Sequence, residues 1–177
     1  MSWSNRGVNR ILLLLLVLTL SACGFHLRGA AALPPDLRAL AVTGTPENGP
    51  LWRVLRDAIP AAGGTLAGAA NADAVLVITA DRFDRRVLSV DSQGRAQEYE
   101  LKYTLGYRLD SPDGKPRLDA RNLTVFRQYR FDPDAVLAKG EEERRLQAEM
   151  RRAAVGRLLR QLTLRLSNPE PAGAPAS

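Results

Sequence analysis

The chain has very few of the side chains on which most enzymes and metal proteins depend. It contains a single cysteine, Cys23, and a single histidine, His26, both close to the amino terminus. A disulfide needs two cysteines and a thiol-based metal site needs several ligands, so both are excluded within the chain. No second base, nucleophile or metal ligand is placed to act with His26, which favours a local packing or hydrogen-bonding role for it.

The chain also lacks an apolar run long enough to span a bilayer. The run at 11–20 would rise only about 15 Å as a helix, against a hydrocarbon core of roughly 30 Å. Arg6 and Arg10 precede this run, and the sequence LSAC at 20–23 follows it. This combination is typical of a bacterial lipoprotein signal peptide, so we predict cleavage after residue 22 and lipidation of Cys23. The alternative is a buried free cysteine in an uncleaved chain.

Lipidation of Cys23 would fix the compartment of the protein. Two or more acyl chains hold a protein at a bilayer essentially permanently. By the lipoprotein sorting rule, aspartate directly after the cysteine favours the inner membrane, and Gly24 at that position therefore predicts the outer membrane, on its periplasmic side. Removal of residues 1–22 removes two arginines and no acid, which lowers the net charge from +6 to +4. Such an excess suits an anionic surface or ligand, and equally an ordinary soluble domain.

Residue patterns along the mature chain predict the element order β-α-β-β-β-α. The predicted strands cover 37–43, 74–79 with a continuation toward 90, 98–110 and 118–131. The predicted helices begin near Pro50 and extend from about Glu141 to Ser167. Strands joined by short turns are antiparallel, so we expect a four-stranded, mostly antiparallel sheet packed against two helices in a two-layer α+β sandwich. Residues 169–177 are rich in proline, alanine and glycine, which predicts a disordered tail.

The strand at 98–110 has the clearest alternation of apolar and polar residues. We therefore expect one face to pack under the helices and the other to face water or a partner. The first face contains Leu101, Tyr103 and Leu105. The second face contains Glu100, Lys102 and Thr104.

The last predicted helix combines an apolar stripe with a basic face. The basic residues are Arg144, Arg145, Arg151, Arg152, Arg157 and Arg160. We interpret this face as solvated or partner-facing, because a periplasmic lipoprotein does not meet nucleic acid under normal conditions. Asp81 and Asp84 lie among three arginines, and a solvated charge cluster is a better interpretation of them than a catalytic pair.

Several short motifs follow one another in a fixed order along the mature chain. They are CGFHLR at 23–28, ENGPL at 47–51, EY at 98–99, FR at 126–127, DP at 132–133 and LAK at 137–139. Together they resemble the lipopolysaccharide-assembly lipoprotein family LptE, and the resemblance covers about 23–166. It implies an LptE-like α+β domain at 23–168, a lipoprotein that plugs the β-barrel of the lipopolysaccharide translocon LptD, and a capacity to bind lipopolysaccharide.

The resemblance also implies a ligand site. In the family, the lysine of the LAK motif is implicated in lipopolysaccharide binding, and Lys139 matches it. We expect Lys139 just before a helix, where backbone N–H groups and the helix dipole favour a phosphate, although Glu141–Glu143 would oppose an anion there. Some relatives have a second basic residue in the hairpin turn, where this chain has Ser92, and Arg95 on the same turn could substitute. The alternative for both Lys139 and Arg95 is a solvated loop charge.

The predicted function is therefore an outer-membrane lipoprotein that complexes with an LptD-type β-barrel and takes part in lipopolysaccharide assembly and transport to the outer leaflet. We expect no enzymatic activity and no cofactor, apart from the covalent lipid on Cys23. The alternative is a periplasm-facing lipid or lipoprotein carrier anchored in the outer membrane, which would need a larger apolar concave surface than these alternations indicate. An outer-membrane enzyme of unknown type is a more distant possibility.

Overall fold

The computed structural model describes residues 32–130 and 136–167, which fold into one sheet with two α-helices. The strands are β1 Ala39–Thr43, β2 Thr65–Leu66, β3 Ala74–Val90, β4 Ala96–Asp110 and β5 Pro116–Arg130. The helices are α1 Pro50–Ala61 and α2 Val136–Ser167, and short 3-10 turns lie at Pro35–Leu37 and Ala69–Asn71. The predicted signal peptide, Cys23, His26 and the predicted tail at 169–177 lie outside the described residues.

The five strands lie in the order β2-β1-β3-β4-β5. β1 is parallel to β2 and to β3, because α1 provides the crossover that parallel neighbours need. β3, β4 and β5 form a long antiparallel meander. The α+β class is thus confirmed, but the predicted strand count of four was one too few. The additional strand, β2, has two residues, which is too short to produce a detectable alternation.

Helix α1 begins where the sequence predicts. Gly49 is its N-cap and Pro50 occupies the first helical position, where the missing N–H of proline costs nothing. Leu51, Leu55 and Ile59 follow at intervals of four residues and are fully buried, so this face of α1 packs onto the sheet.

Strand β4 is the middle strand of the meander and its helix-facing side forms the centre of the core. Leu101, Tyr103 and Leu105 are buried as predicted. Glu100 and Thr104 lie on the opposite face, as predicted, but both are buried and not open to water. Their burial comes from side chains of the flanking strands, and Arg86 of β3 lies with its Nε 2.8 Å from Oε1 of Glu100.

Helix α2 begins at Val136, one turn earlier than the predicted start near Glu141, and ends at Ser167 as predicted. Met150, Ala154, Leu158 and Leu162 form its buried stripe. Arg151 was expected on the solvated basic face, but its side chain is only 16% exposed. It lies between α2 and the sheet, where aromatic rings of β3 and β4 cover it.

Candidate functional site

The turn between β3 and β4, at residues 91–95, holds the side chain of Arg95 in one position. Nε of Arg95 lies 2.7 Å from Oδ2 of Asp91, and the backbone N–H groups of Arg95 and Gln93 donate to Oδ1 of the same carboxylate. The hydrogen bond from the Arg95 backbone lowers the pKa of Asp91, with the Arg95 side chain adding to the effect. Gly94 has a φ of 76°, which favours glycine at this position. Arg95 is therefore an exposed guanidinium fixed at the tip of a hairpin.

The sequence predicts Lys139 just before the last helix. In the structure it lies within the first turn of α2, because the helix begins at Val136. Its side chain is outside the described residues. The first four N–H groups of an α-helix have no partner inside the helix, and the helix dipole places positive potential there. The backbone of Lys139 therefore lies where a helix favours an anion, as the sequence predicts.

Contacts along α2 define the end of the sheet at which the helix begins. Oε2 of Glu143 lies 3.3 Å from Nη1 of Arg85 and accepts a hydrogen bond of 3.2 Å from the hydroxyl of Tyr129. At the far end of α2, the hydroxyl of Tyr107 donates a hydrogen bond of 2.6 Å to Oε1 of Gln161. Helix α2 therefore begins at the end of the sheet that carries the β3–β4 turn, which brings the Lys139 backbone and Arg95 to the same end of the domain.

Apolar side chains are exposed beside this turn. Val87, Leu88 and Val90, at the end of β3, are all more than a third exposed, and Val90 reaches 59%. β3 pairs with β1 only over 74–77, so its second half forms an edge of the sheet. We define the tip region as the turn at 91–95 together with these three apolar residues. It combines an exposed guanidinium, which is paired with Asp91 through its Nε, with apolar surface, and this combination suits an anionic amphiphile better than a purely polar ligand.

The carboxylates near the tip region are matched by arginines. Glu98 accepts a hydrogen bond of 3.0 Å from the hydroxyl of Ser89 and lies 3.3 Å from Nε of Arg130. Glu143, which the sequence suggested would oppose an anion, is directed at Arg85 instead. This pairing reduces the repulsion from Glu143 that an anionic ligand would meet near the start of α2, whereas Glu141 and Glu142 are exposed and form no ion pair within the described residues.

Sequence reasoning missed a group of aromatic and arginine side chains on the helix-facing side of β3 and β4. Phe83 stacks on Tyr103 with ring centroids 4.4 Å apart, and Cζ of Arg151 lies 4.7 Å from the centroid of Phe83. The hydroxyl of Tyr103 donates a hydrogen bond of 2.9 Å to Oδ1 of Asp81, which is an exposed residue whose carboxylate also lies 3.6 Å from Nε of Arg151. Burial raises the pKa of Tyr103 above its ordinary value. One sequence pattern could have indicated part of this group: side chains alternate along a strand, so Asp81 and Phe83 of β3 lie on the same face.

The part of the chain that the structure describes contains no group of three or more side chains that could hold a metal ion. Within residues 32–130 and 136–167, no helix is both long enough and apolar enough to cross a membrane. The tip region provides an exposed guanidinium and apolar surface, and α2 begins at the same end of the domain. These are features for binding a ligand.

Sequence comparison identifies relatives along most of the chain. The family model described as "LptE: Lipopolysaccharide-assembly" matches residues 37–162. The chain is 34% identical over 158 residues to the LPS-assembly lipoprotein LptE of Photorhabdus laumondii, covering 87% of this chain and 86% of that protein. It is 30% identical over 150 residues to the protein of the same name from Pectobacterium atrosepticum, covering 84% and 80% of the two chains.

Solved structures share the fold. An uncharacterized lipoprotein B from Nitrosomonas europaea superposes with a TM-score of 0.68 at 26% identity, covering 82% of this chain and 94% of that one. The rare lipoprotein B from Shewanella oneidensis superposes with a TM-score of 0.65 at 28% identity, covering 74% and 98%. The family match extends from the start of the sheet almost to the end of α2, and the chain therefore belongs to the LptE family of lipopolysaccharide-assembly lipoproteins.

Proposed function

We propose that this protein is an outer-membrane lipoprotein that acts in lipopolysaccharide assembly in complex with an LptD-type β-barrel. A lipid on Cys23 anchors it on the periplasmic side, and it binds lipopolysaccharide during transport to the outer leaflet. The observation that carries the proposal is the family match over 37–162, which includes every strand and α1 and most of α2. Relatives that align over more than four fifths of this chain are named LPS-assembly lipoproteins, which supports the same role.

Lipopolysaccharide contacts the tip region in this proposal, with Lys139 and Arg95 binding its phosphates. Nε of Arg95 is engaged by Asp91, but a guanidinium has further N–H donors that can bind a phosphate oxygen pair. The exposed Val87, Leu88 and Val90 provide apolar surface for acyl chains beside the charged groups. The start of α2 adds backbone N–H groups, which favour an anion without any side chain.

The face of the sheet that the helices do not cover is our candidate surface for the barrel. It consists of outward side chains of β3, β4 and β5, and it includes Phe126, which is 50% exposed. An exposed aromatic ring among charged side chains is a common feature of protein interfaces. The carrier alternative is less well supported, because Tyr103 and Tyr107 and the two helices fill the other face of the sheet.

The ligand site is tested by lipopolysaccharide binding to a Lys139→Asp, Arg95→Asp double variant. Each charge-assisted contact contributes roughly 1.5 to 3 kcal/mol, so we expect a loss of affinity of about a hundredfold or more. The control reverses Arg157 and Arg160, two exposed arginines of α2. Binding is measured at two salt concentrations. If the control loses as much affinity as the double variant and both losses vanish at high salt, the attraction is diffuse charge and the site at Lys139 and Arg95 is refuted.

A further inference from the structure

A groove of 540 Å³ separates α1 from α2, and three arginines line it. Arg53 belongs to α1, whereas Arg151 and Arg152 belong to α2. One carboxylate, that of Asp57, also lines the groove, and its Oδ1 lies 3.4 Å from Nε of Arg56. Arg53 and Arg152 form no ion pair with the described part of the chain, so positive charge predominates in the groove.

Arg151 forms the inner wall of this groove and is held more rigidly than a surface arginine. Cζ of Arg151 lies over the rings of Phe83 and Tyr103, at 4.7 and 5.9 Å from their centroids. Its Nε is buried and forms an ion pair with Oδ1 of Asp81 at 3.6 Å, a distance too long for a hydrogen bond. A buried N–H without an acceptor costs stability, and a guanidinium fixed by stacking is already oriented to bind an oxyanion.

The rest of the groove wall is apolar or small. Val54 and Ala58 of α1 face Ala148 and Gly156 of α2 across the groove. Gly156 has no side chain, and Ala58 and Ala148 have short ones, so the two helices leave space between them. The volume lies within the range of about 300 to 1,000 Å³ that is usual for small-molecule sites.

We propose that this groove binds the phosphate group of an amphiphile. The phosphate lies against Arg53, Arg151 and Arg152, because guanidinium groups bind phosphate oxygens in pairs. The alkyl chain lies along the small and apolar wall near Val54 and Gly156. The inference does not rest on the proposed function, since neither Lys139 nor Arg95 lines the groove and the probe below is not lipopolysaccharide.

The probe is hexyl phosphate, compared with inorganic phosphate and with hexanol. Each compound is titrated calorimetrically into the full protein, purified from cells in a non-ionic detergent, and the same titration into detergent alone is subtracted. We expect hexyl phosphate to bind at least tenfold more tightly than inorganic phosphate, and hexanol to show no saturable binding. Equal affinities for hexyl phosphate and inorganic phosphate would overturn the amphiphile assignment, and no binding of either would overturn the site.

Two variants separate a defined site from diffuse charge. An Arg53→Gln, Arg152→Gln double variant is expected to weaken hexyl phosphate binding at least tenfold. A matched double variant, Arg145→Gln with Arg157→Gln, removes the same charge from exposed positions outside the groove and is expected to bind normally. Equal losses in the two double variants would contradict the proposal. Arg151 stays unchanged in both, because its replacement would disturb the contacts with Phe83 and Tyr103.

A third variant fills the groove without changing its charge. A Cβ at Gly156 would have Nη1 of Arg160 as its nearest neighbour at 3.5 Å, which is ordinary contact, so the first carbon of a leucine side chain fits at this position of the groove wall. Leucine also favours helix over glycine, and the melting temperature should be unchanged or higher. We expect this variant to lose hexyl phosphate binding. A Gly156→Leu protein that melts normally and still binds with wild-type affinity would refute the groove as the site.

Discussion

Nε of Arg95 lies 2.7 Å from Oδ2 of Asp91, inside the turn that connects β3 and β4. The backbone N–H of Arg95 donates to the other oxygen of the same carboxylate, at 2.9 Å. One aspartate thus fixes both the course of the turn and the direction of the guanidinium. The position of a proposed ligand residue is therefore coupled to the ionisation of its neighbour.

This coupling makes the turn sensitive to acid. The pKa of Asp91 in the folded protein is lowered, so the carboxylate stabilises the turn at neutral pH and loses that effect as the pH falls through the folded value, below about pH 4. We expect the amide protons of Gln93 and Arg95 to lose protection from exchange in that range. In Asp91→Asn, which cannot ionise, protection should be lower at neutral pH and should not show this acid step. Identical acid profiles for the two proteins would contradict the prediction.

Thr104 is 7% exposed, and its Oγ1 has no hydrogen-bond partner within the described residues. Valine has nearly the same shape and no hydroxyl, so Thr104→Val should be neutral or should stabilise the protein by up to about 2 kcal/mol. Thr104→Ala is the control, because it removes the hydroxyl and also leaves a cavity. Urea denaturation gives the free energy of unfolding of each protein. A valine variant clearly less stable than the wild type would show that the hydroxyl has a partner.

Gly106 lies where β4 is closely flanked by both neighbouring strands. A Cβ at this position would be 2.5 Å from Oγ1 of Thr79 and 2.8 Å from Oδ1 of Asn122. We expect Gly106→Ala to destabilise the protein by about 1 to 3 kcal/mol through this crowding. Gly140, in α2, is the matched control, because among the described residues a Cβ there meets only Nη2 of Arg144, at 3.8 Å. Alanine at Gly140 should raise the melting temperature by removing backbone entropy, and a similar rise at Gly106 would contradict the prediction.

The proposed membrane anchor is a lipid on Cys23, which is the sole cysteine of the chain. We expect Cys23→Ser to block lipidation and cleavage, so that the protein accumulates as an unprocessed precursor. Mass spectrometry of the wild-type protein should show a mature chain that begins with a lipid-modified Cys23. An unmodified cysteine in the wild type would remove the basis for the predicted localisation.

Much of the fold was predictable because local patterns determine it. The alternation in β4 assigns Leu101 and Tyr103 to the core correctly, since side chains of a strand point to opposite faces. The same alternation cannot reveal that Glu100 and Thr104 are buried, because their burial comes from flanking strands. Arg151 illustrates the same limit, since the rings that cover it are far away in sequence.

The candidate site was predictable in part. The hairpin turn and the approximate start of α2 can be predicted from local sequence. Because β3, β4 and β5 are antiparallel, the β3–β4 turn and the end of β5, which leads to α2, lie at the same end of the sheet. The ion pair of Arg95 with Asp91 and the direction of Glu143 toward Arg85 depend on side-chain geometry that sequence patterns do not contain. The groove between α1 and α2 was missed, because it depends on how two helices pack. Family membership confirms the prediction that the protein is not an enzyme.

The most direct test of the proposed function is purification of the tagged, lipidated protein from outer membranes in mild detergent. We expect a large β-barrel protein to elute with it in comparable amount, together with lipopolysaccharide. The Cys23→Ser protein, purified in parallel, should bring down much less of both. Recovery of the lipidated protein with free lipid or lipoprotein cargo, and without a barrel protein, would contradict the proposal and favour the carrier alternative.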